Sequence, residues 1–310
     1  MIDKTLNLEQ QRILVTGVTG FIGSRIEKRL AQQGCEVFGI ARTPPAESKH
    51  GNNYYQVDLS NLDDTRRIVK KIEPDIILNC AGHPFGDRSI DMIMPAYKHN
   101  FVASLNLLLA ASEIDCKRII LPGSMETPIG EQAGSQRLSP YALSKWCAYE
   151  YGKLFYQLYQ LPVITLRMFM VYGPGQAGRH MKKLIPYTIS SFLQGSAPVI
   201  RSGKRQVDWI YIDDVVDATI AALEAGQIEG ECLDIGSGEY FQVSTVVEQI
   251  AQIMNTGIKP VYDNAHSGQE GYDIPADTGA TCQKIGWKAR VDLKMGLEKT
   301  IEWHKRQLAA

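Results

Sequence analysis

The sequence lacks an excess of charge of either sign. Among 310 residues, 33 Lys and Arg stand against 34 Asp and Glu, a formal net charge of -1. With no surplus of cations, the chain has no general means of holding nucleic acid or anionic lipid, and an anionic ligand must be met by a local site. Long apolar runs are also missing. The stretch 105–111 is among the longest, well short of the roughly 20 residues of a membrane span. Asp3, Lys4, Glu9 and Arg12 precede the first apolar segment, without the apolar core of a signal peptide, so a cytoplasmic protein is expected. Six cysteines (Cys35, Cys80, Cys116, Cys147, Cys232, Cys282) lie far apart, with no C-x-x-C pair and no His at ligand spacing. This argues against a zinc site or a disulfide framework; no metal is expected, and the thiols are read as reduced and mostly buried.

What is present is a globular composition. Hydrophobic residues make up 44% of the chain, enough for at least one sizeable core and too many for a disordered one. The first half alternates β-branched runs with helical patterns, the mark of a parallel sheet with helices on both faces. Strands are expected at 12–16, 36–41, 54–57, 75–80, 118–121 and 163–167, and helices around 63–72, 100–112 and 141–159. Gly34 stands where a helix C-terminus wants a left-handed residue. After Tyr172 the run Gly173-Pro174-Gly175 breaks the rhythm. The α/β fold class is therefore a doubly wound parallel sheet over 1–172, with a return of 207–236, and a smaller substrate-binding region formed by 173–206 and 237–310.

Gly17, Gly20 and Gly23 fall between the first strand and the first helix, in Thr16-Gly17-Val18-Thr19-Gly20-Phe21-Ile22-Gly23. A plain strand-to-helix turn needs no three glycines. A dinucleotide site does: one for the tight turn, one for approach of the backbone to a pyrophosphate, one for packing of helix on strand, with the helix N-terminus facing the phosphates. The second strand ends in Gly39-Ile40-Ala41-Arg42-Thr43, with a guanidinium and no carboxylate. That suits the 2′-phosphate of NADP(H), with NAD(H) as the alternative if Arg42 is a solvated loop residue. Asp58, in Val57-Asp58-Leu59, reads equally as an acceptor for the adenine amino group or as a cap for the next helix.

Tyr141 and Lys145 are four apart on a helix that Ser139 and Pro140 open as N-cap and first residue. An ammonium beside a phenol lowers its pKa from about 10, making the tyrosine a general acid or base. The spacing alone is weak, since Tyr149 and Lys153 share it.

Taken together, Thr16 to Gly23, Ser124 in Leu121-Pro122-Gly123-Ser124-Met125-Glu126, and Ser139-Pro140-Tyr141-Ala142-Leu143-Ser144-Lys145 resemble the extended short-chain dehydrogenase/reductase family, which contains nucleotide-sugar epimerases, dehydratases and reductases. The resemblance extends to Leu166-Arg167, to 171–176, to Asp208-Trp209-Ile210-Tyr211-Ile212-Asp213-Asp214, to 233–238 and to 276–287. It implies a Rossmann domain, a homodimer formed through helices in 100–112 and 141–159, and a nucleotide-sugar substrate. It also implies that Ser124 hydrogen-bonds the sugar oxygen, Tyr141 moves its proton, and Lys145 binds the cofactor ribose. Asn100 resembles the asparagine that begins a helix near the cofactor. Leu78-Asn79-Cys80-Ala81-Gly82 resembles the strand end under the nicotinamide, with His83 just beyond, facing the active site or bound to a loop carbonyl.

Departures from the family pattern bear on the reaction. One residue is inserted after the serine, so counting back from Gly130 puts Met125 in its place; Ser124 is kept because Met has no proton to donate. Only Glu126 is present where dehydratases carry an acid and a base. Met170 stands where many relatives have an Asn, so Arg205 is read either as the diphosphate clamp, ahead of Arg179 and Lys182, or equally as a surface residue of the turn Ser202-Gly203-Lys204. The reading put first is an NADPH-dependent reductase of a nucleotide-activated keto-deoxysugar. The alternatives are an epimerase or 4,6-dehydratase that retains its dinucleotide, and a non-catalytic NADP-binding sensor.

Overall fold

The structure, a computed structural model, describes residues 6–43, 53–128, 138–176, 183–201, 203–263 and 275–309. In chain order, β1 (Arg12–Thr16), α1 (Gly23–Gln32), β2 (Glu36–Ala41), β3 (Tyr54–Gln56), α2 (Leu62–Ile72) and β4 (Ile76–Asn79) come first. One continuous helical stretch follows, made of a 3-10 turn (Ile90–Met92), α3 (Ile93–Ala96), a π turn (Tyr97–Val102) and α4 (Ala103–Ala111). Next come β5 (Arg118–Ser124), α5 (Pro140–Tyr159), β6 (Val163–Met168), β7 (Met170–Tyr172), α6 (Leu184–Leu193), β8 (Val199–Ile200), β9 (Gln206–Tyr211) and α7 (Ile212–Glu224). β10 (Cys232–Ile235), β11 (Tyr240–Gln242), α8 (Val243–Met254), β12 (Val261–Tyr262), α9 (Thr278–Ile285) and α10 (Leu293–Ala309) complete the chain. The chain divides into two compact units: the first is Met1–Met168, Val216–Asp234 and Gly279–Trp287, the second Phe169–Val215, Ile235–Thr278 and Lys288–Ala310.

The first unit is built on a seven-stranded sheet of order β10-β6-β5-β4-β1-β2-β3. β1 pairs in parallel with β2 and β4, and β3, β5 and β6 extend the ladder in the same sense. The strand order reverses at β1, so the carboxyl ends of β1 and β4 open a crevice, as expected of a doubly wound sheet. Ile13, Leu14 and Val15 of β1 are fully buried, which is why the strand reads as a continuous apolar run. α1 turns Ile26 and Leu30 inward, and Gly34 ends it at φ +81. α2 starts at Asn61, whose side chain accepts from Asp64 N, and carries Asp63 and Asp64 in its first turn and Lys70 and Lys71 in its last, in the sense that complements the helix dipole.

Two elements differ from the sequence expectation, and both matter for the site. β5 does not stop at Leu121 but runs through Pro122 and Gly123 to Ser124, because its ladder with β6 holds as far as Ser124 opposite Met168. The expected helix start at Asn100 is likewise moved. Pro95 falls in the first turn of α3, where a missing N–H costs no helical bond, so the helix begins before it and Asn100 sits inside the stretch, in the π turn.

The second unit contains the sheet β11-β9-β7 and the parallel pair β12-β8. Two buried aspartates organise it. Asp208 accepts from Ser237 N, Ser237 Oγ, Gly238 N and Ala276 N at 2.7 to 3.2 Å, and Asp214 accepts from Arg290 N and Val291 N. Each satisfies loop amides that would otherwise be buried without partners. Asp208 and Asp214 therefore hold structure.

Arg118, at the start of β5, is 1% exposed. Its Nη1 donates to the carbonyls of Ala222, Leu223 and Ala225 at 2.6 to 3.0 Å, and its Nη2 to Glu229 Oε1 at 2.5 Å. A cation at the C-terminus of α7 meets the negative end of the helix dipole and its unpaired carbonyls together. Arg118→Met is expected to strand these acceptors and destabilise the protein by about 3 kcal/mol, read as a lower denaturation midpoint with an unchanged m-value.

Candidate active site

The glycine-rich turn is fixed by close contacts. Gly17 has φ +62, and a Cβ there would lie 2.7 Å from Cys80 and Ala81 backbone atoms. A Cβ on Gly23 would collide with Gly17 O, and Gly20 N donates to Gly17 O at 2.8 Å. Phe21 and Ile22 complete the turn, and Ile22 takes the N-cap position of α1 with no side-chain cap. No side chain caps this helix N-terminus, the arrangement that suits a phosphate.

Beside the turn lies a cleft of about 250 Å³, lined by Gly17, Gly20, Arg42, Asp58, Leu59, Ala81, Gly82 and His99 among others. Arg42 is exposed and its Nη1 lies 3.1 Å from His99 Nε2. Asp58 does not cap the following helix; Asn61 does. Asp58 Oδ1 instead accepts from Ser60 N and Ser60 Oγ at 3.0 and 2.9 Å. Its pKa is lowered: burial raises it, but the Ser60 bonds, His99 and Arg42 outweigh that. Leu59 is buried, and Ala81 N donates to Thr16 Oγ1. Glycines where a backbone must be approached, free space at the strand ends and a cation at the far end fit a dinucleotide.

At the other end of the crevice β5 and α5 bring Ser124, Tyr141 and Lys145 together. Ser139 N-caps α5, accepting from Ala142 N at 3.1 Å, and Pro140 opens it. The helix lies close on the sheet, for a Cβ at Gly152 would sit 2.9 Å from Leu121 Cδ1. Ser124, not Met125, is the side chain that pulls the Tyr141 pKa down; Met125 N is used in a bond to Met168 O. Lys145 is 7% exposed, with Nζ 5.9 Å from the Tyr141 ring centroid. A Cβ at Gly82 would lie 2.9 Å from Asn100 Oδ1 and 3.5 Å from Lys145 Nζ, so the glycine keeps space open in front of both.

The electrostatics correct one expectation. Burial pushes the Tyr141 phenol up to about 12; Ser124 pulls it down, Glu126 pushes it further up, and Lys145 is not among the causes. Burial brings Lys145 down to about 8, weakly opposed by Cys80. Without a ligand the phenol is therefore not acidified by its neighbour, since the cation is itself poorly solvated. Glu126 joins the group: its N donates to Ser124 Oγ at 3.2 Å, and its Oε2 accepts from Ser139 Oγ at 3.3 Å.

Asn100 binds protein rather than facing the cleft alone. Its Oδ1 accepts from His83 N at 2.6 Å, and its Nδ2 donates to His83 O and Ser144 Oγ. The π turn brings it inward; such turns interrupt helices mostly at functional sites. His83 is held by its backbone rather than by its ring. Its Nε2 is buried with no hydrogen-bond partner among the described residues, its ring packs on Phe85 at 4.9 Å, and burial lowers its pKa, with His99 and Arg42 adding to the shift.

A separate pocket of about 520 Å³ lies within the second unit, lined by Met170, Lys183, Tyr187, Arg201, Arg205 and Trp209 among others. Arg205 is thus placed at a cavity wall, while Arg179 and Lys182 lie outside the described residues. Lys183, Tyr187, Arg201 and His99 were not singled out by sequence reasoning. Only the short separation of Arg201 from Arg205 could have pointed to one of them. Among the described residues no group of three His, Cys, Asp or Glu is placed to hold a metal ion, and no helix is long and apolar enough to cross a membrane. The six cysteines are free, with Cys35 and Cys116 buried and Cys282 exposed.

Residues 13–236 match the model of the NAD dependent epimerase/dehydratase family. The UDP-glucuronate 4-epimerase of Thermodesulfobacterium geofontis is 25% identical over 95% of this chain and 96% of its own length. The dTDP-glucose 4,6-dehydratase of Haemophilus influenzae is 26% identical over 94% of this chain and 97% of its own. Among solved structures, a UDP-glucose 4-epimerase of Thermotoga maritima with UDP-glucose superposes with a TM-score of 0.86 at 27% identity, covering 96% of this chain and 99% of that one.

The buried Lys145 makes the site costly to the empty fold. Its folded pKa, about 8, lies below the ordinary lysine value of 10.5. Between those values the unfolded chain binds the extra proton, so stability rises with pH through that window and the full penalty is present below it. Lys145→Met is expected to stabilise the dinucleotide-free protein by roughly 2 kcal/mol at pH 7, to flatten its stability between pH 8 and 10, and to abolish turnover. Urea unfolding at pH 7 and pH 10 checks this.

Proposed function

The chain belongs to the NAD-dependent epimerase/dehydratase family, and from that we propose that it oxidises a carbinol of a nucleotide-activated hexose and then reduces the same sugar, retaining its dinucleotide. The protein is an NAD(P)-dependent enzyme of the extended short-chain dehydrogenase/reductase type. The observation that carries the proposal is the convergence of Ser124, which lowers the Tyr141 pKa, and the buried Lys145, whose Nζ lies 5.9 Å from the Tyr141 ring centroid. It puts a proton donor and acceptor, and a second hydroxyl to polarise an oxygen, at one point of the crevice. A bound dinucleotide would supply the hydride acceptor and, in its oxidised form, a positive charge. Tyr141 Oη takes the carbinol proton and later returns it, Ser124 Oγ holds the same sugar oxygen, and Lys145 Nζ holds the ribose and keeps the phenolate compensated. The named relatives, epimerases and a dehydratase, favour this reading over net reduction by NADPH, the reading first suggested by Arg42 and the single carboxylate.

Dehydration is the second reading, and Glu126 favours it. A carboxylate held by Ser139 near Tyr141 is suited to removing a proton from carbon next to a transient ketone. Met125 supplies no acid for the departing hydroxyl, which is why epimerisation is placed first. Lys183, Arg201 and Arg205 line the second unit's pocket and are cations able to pair with phosphate. At the adenosine end, Ala41 and Arg42 support NADP, although the family is described by NAD.

Incubation with a panel of UDP- and dTDP-hexoses tests the proposal. The expected result is a changed sugar by NMR with no net change in dihydronicotinamide absorbance; stoichiometric NADPH consumption would restore the reductase. Tyr141→Phe should lower turnover by at least about 100-fold and leave dinucleotide affinity nearly unchanged.

For the assembly, we propose a homodimer through an apolar face of α3, the π turn and α5. Ile90, Ile93, Met94, Tyr97, Leu154 and Leu158 are exposed there, and Tyr97, Phe101 and Tyr151 form a continuous ring contact across the two helices. Light scattering should give twice the chain mass, and Ile93→Lys with Leu154→Glu should return it to one.

A further inference from the structure

His99 stands on the π turn and lines the same cleft as Arg42. Arg42 Nη1 approaches His99 Nε2 to 3.1 Å. A guanidinium can only donate, so Nε2 accepts and the ring is neutral, with its proton on Nδ1. The pair therefore opens on the cleft with one fixed cation and one group able to become a second. A terminal phosphate has oxygens enough for both, and its arrival would turn Nε2 from acceptor to donor.

The other charged groups facing His99 are Arg42 at the end of β2, Asp58 in the turn after β3, and Lys98 on its own turn; His83, after β4, faces His99 and Arg42. Burial lowers the His99 pKa, Arg42 and Lys98 lower it further, and Asp58 opposes them. Asp58 is already engaged by both donors of Ser60. The ligand-free ring is thus held neutral near pH 7, with proton uptake left to the bound state.

We propose that His99 and Arg42 together seat the adenosine 2′-phosphate of NADP, His99 taking a proton from solvent as the phosphate binds, so that preference for NADP over NAD strengthens as pH falls. No covalent bond changes: the ring gains one proton, Arg42 keeps its own, and each donates to a phosphate oxygen. The proposal rests on the reading of Arg42 as an NADP determinant. The sign follows from linkage. A ring pKa that is low in the free protein and raised by a phosphate dianion makes NADP affinity rise as pH falls between the two values, with a limit of about tenfold per pH unit.

Calorimetric titration of the full chain with NADP+ and NAD+ between pH 7 and 9, in two buffers of different ionisation enthalpy, tests this. Above pH 7 the phosphate is essentially a dianion, so uptake reports the protein. Proton uptake on binding NADP+, with none on binding NAD+, is expected. His99→Gln should abolish the uptake and the pH dependence of NADP+ binding, and an unchanged thermal unfolding midpoint of the free protein shows that the variant is folded. His99→Arg, permanently charged, should keep the preference for NADP and lose its pH dependence. Undiminished uptake in His99→Gln overturns the proposal. Arg42→Ala separates the two levels: if it leaves the NADP to NAD ratio unchanged, the reading of Arg42 fails as well, whereas a collapsed ratio with a normal His99→Gln removes only the role of His99.

Discussion

The site depends on one run of buried hydrogen bonds. Thr16 Oγ1 donates to Asn79 Oδ1, Asn79 Nδ2 to Ser104 Oγ, Ser104 Oγ to the carbonyl of Asn100, Asn100 Nδ2 to Ser144 Oγ, and Ser144 Oγ to the carbonyl of Tyr141. The run starts at the last residue of β1, where the glycine turn begins, and ends at the residue that carries the phenol. Every link is short and all but the last, which is partly buried, lie out of water, so losing one partner there leaves another polar group buried and unpaired, at a cost above the bond's own modest worth. β1, β4, the π turn, α4 and α5 are in this way held to one register. The distance between the phosphate turn and the phenol is a property of the fold rather than of the ligand.

The same rigidity explains why the site can hold groups in states they would not choose. Lys145 and Tyr141 lose hydration in a crevice whose walls cannot relax, and both are driven towards their neutral forms, at about 8 and about 12. In a softer site water would enter or the ammonium would swing out. Here Asn100 and Gly82 stand in front of Lys145, and the close seat of Gly152 on Leu121 keeps α5 from shifting. The strain of a dry cation is stored in the empty protein and can be relieved by a ligand that offers hydroxyls and charge at that spot, which makes binding and activation a single event.

Much of this was legible in the sequence, for identifiable reasons. Gly17 and Gly23 announce themselves because no other residue fits where their Cβ atoms would be. The apolar run of β1 and the N-cap at Ser139 follow from local rules. Tyr149 and Lys153 show where local rules stop. Lys153 Nζ lies 5.2 Å from the Tyr149 ring, the same juxtaposition as in the site pair, yet Lys153 is bound to Glu150 at the surface. Spacing on a helix makes the pair; only the sheet beside it, with Ser124 at the end of β5, makes a site. The π turn could not be read at all, since nothing in Tyr97 to Val102 marks a sixth residue in the turn, and without it Asn100 is assigned to a helix start. Asp58 was ambiguous because a carboxylate that accepts from its own loop looks, in a sequence, like one that meets a ligand.

The two ends of the crevice use cations in opposite ways, and burial decides which. Lys145 is enclosed, so its charge is easily lost and its influence is strong but short-ranged, suited to one hydroxyl and one ring. Arg42 is exposed and permanently charged, so it contributes recognition that salt will screen rather than reactivity. His99 falls between these cases: partly enclosed, held neutral by the cation it touches, and able to gain a charge only when an anion compensates it. A group of that kind adds little to the affinity for a ligand without a phosphate and most to one that carries it. Selectivity at this end therefore need not be fixed by the sequence of β2 alone, because a residue from a different element, placed by the same π turn that positions Asn100, modulates it with the proton concentration.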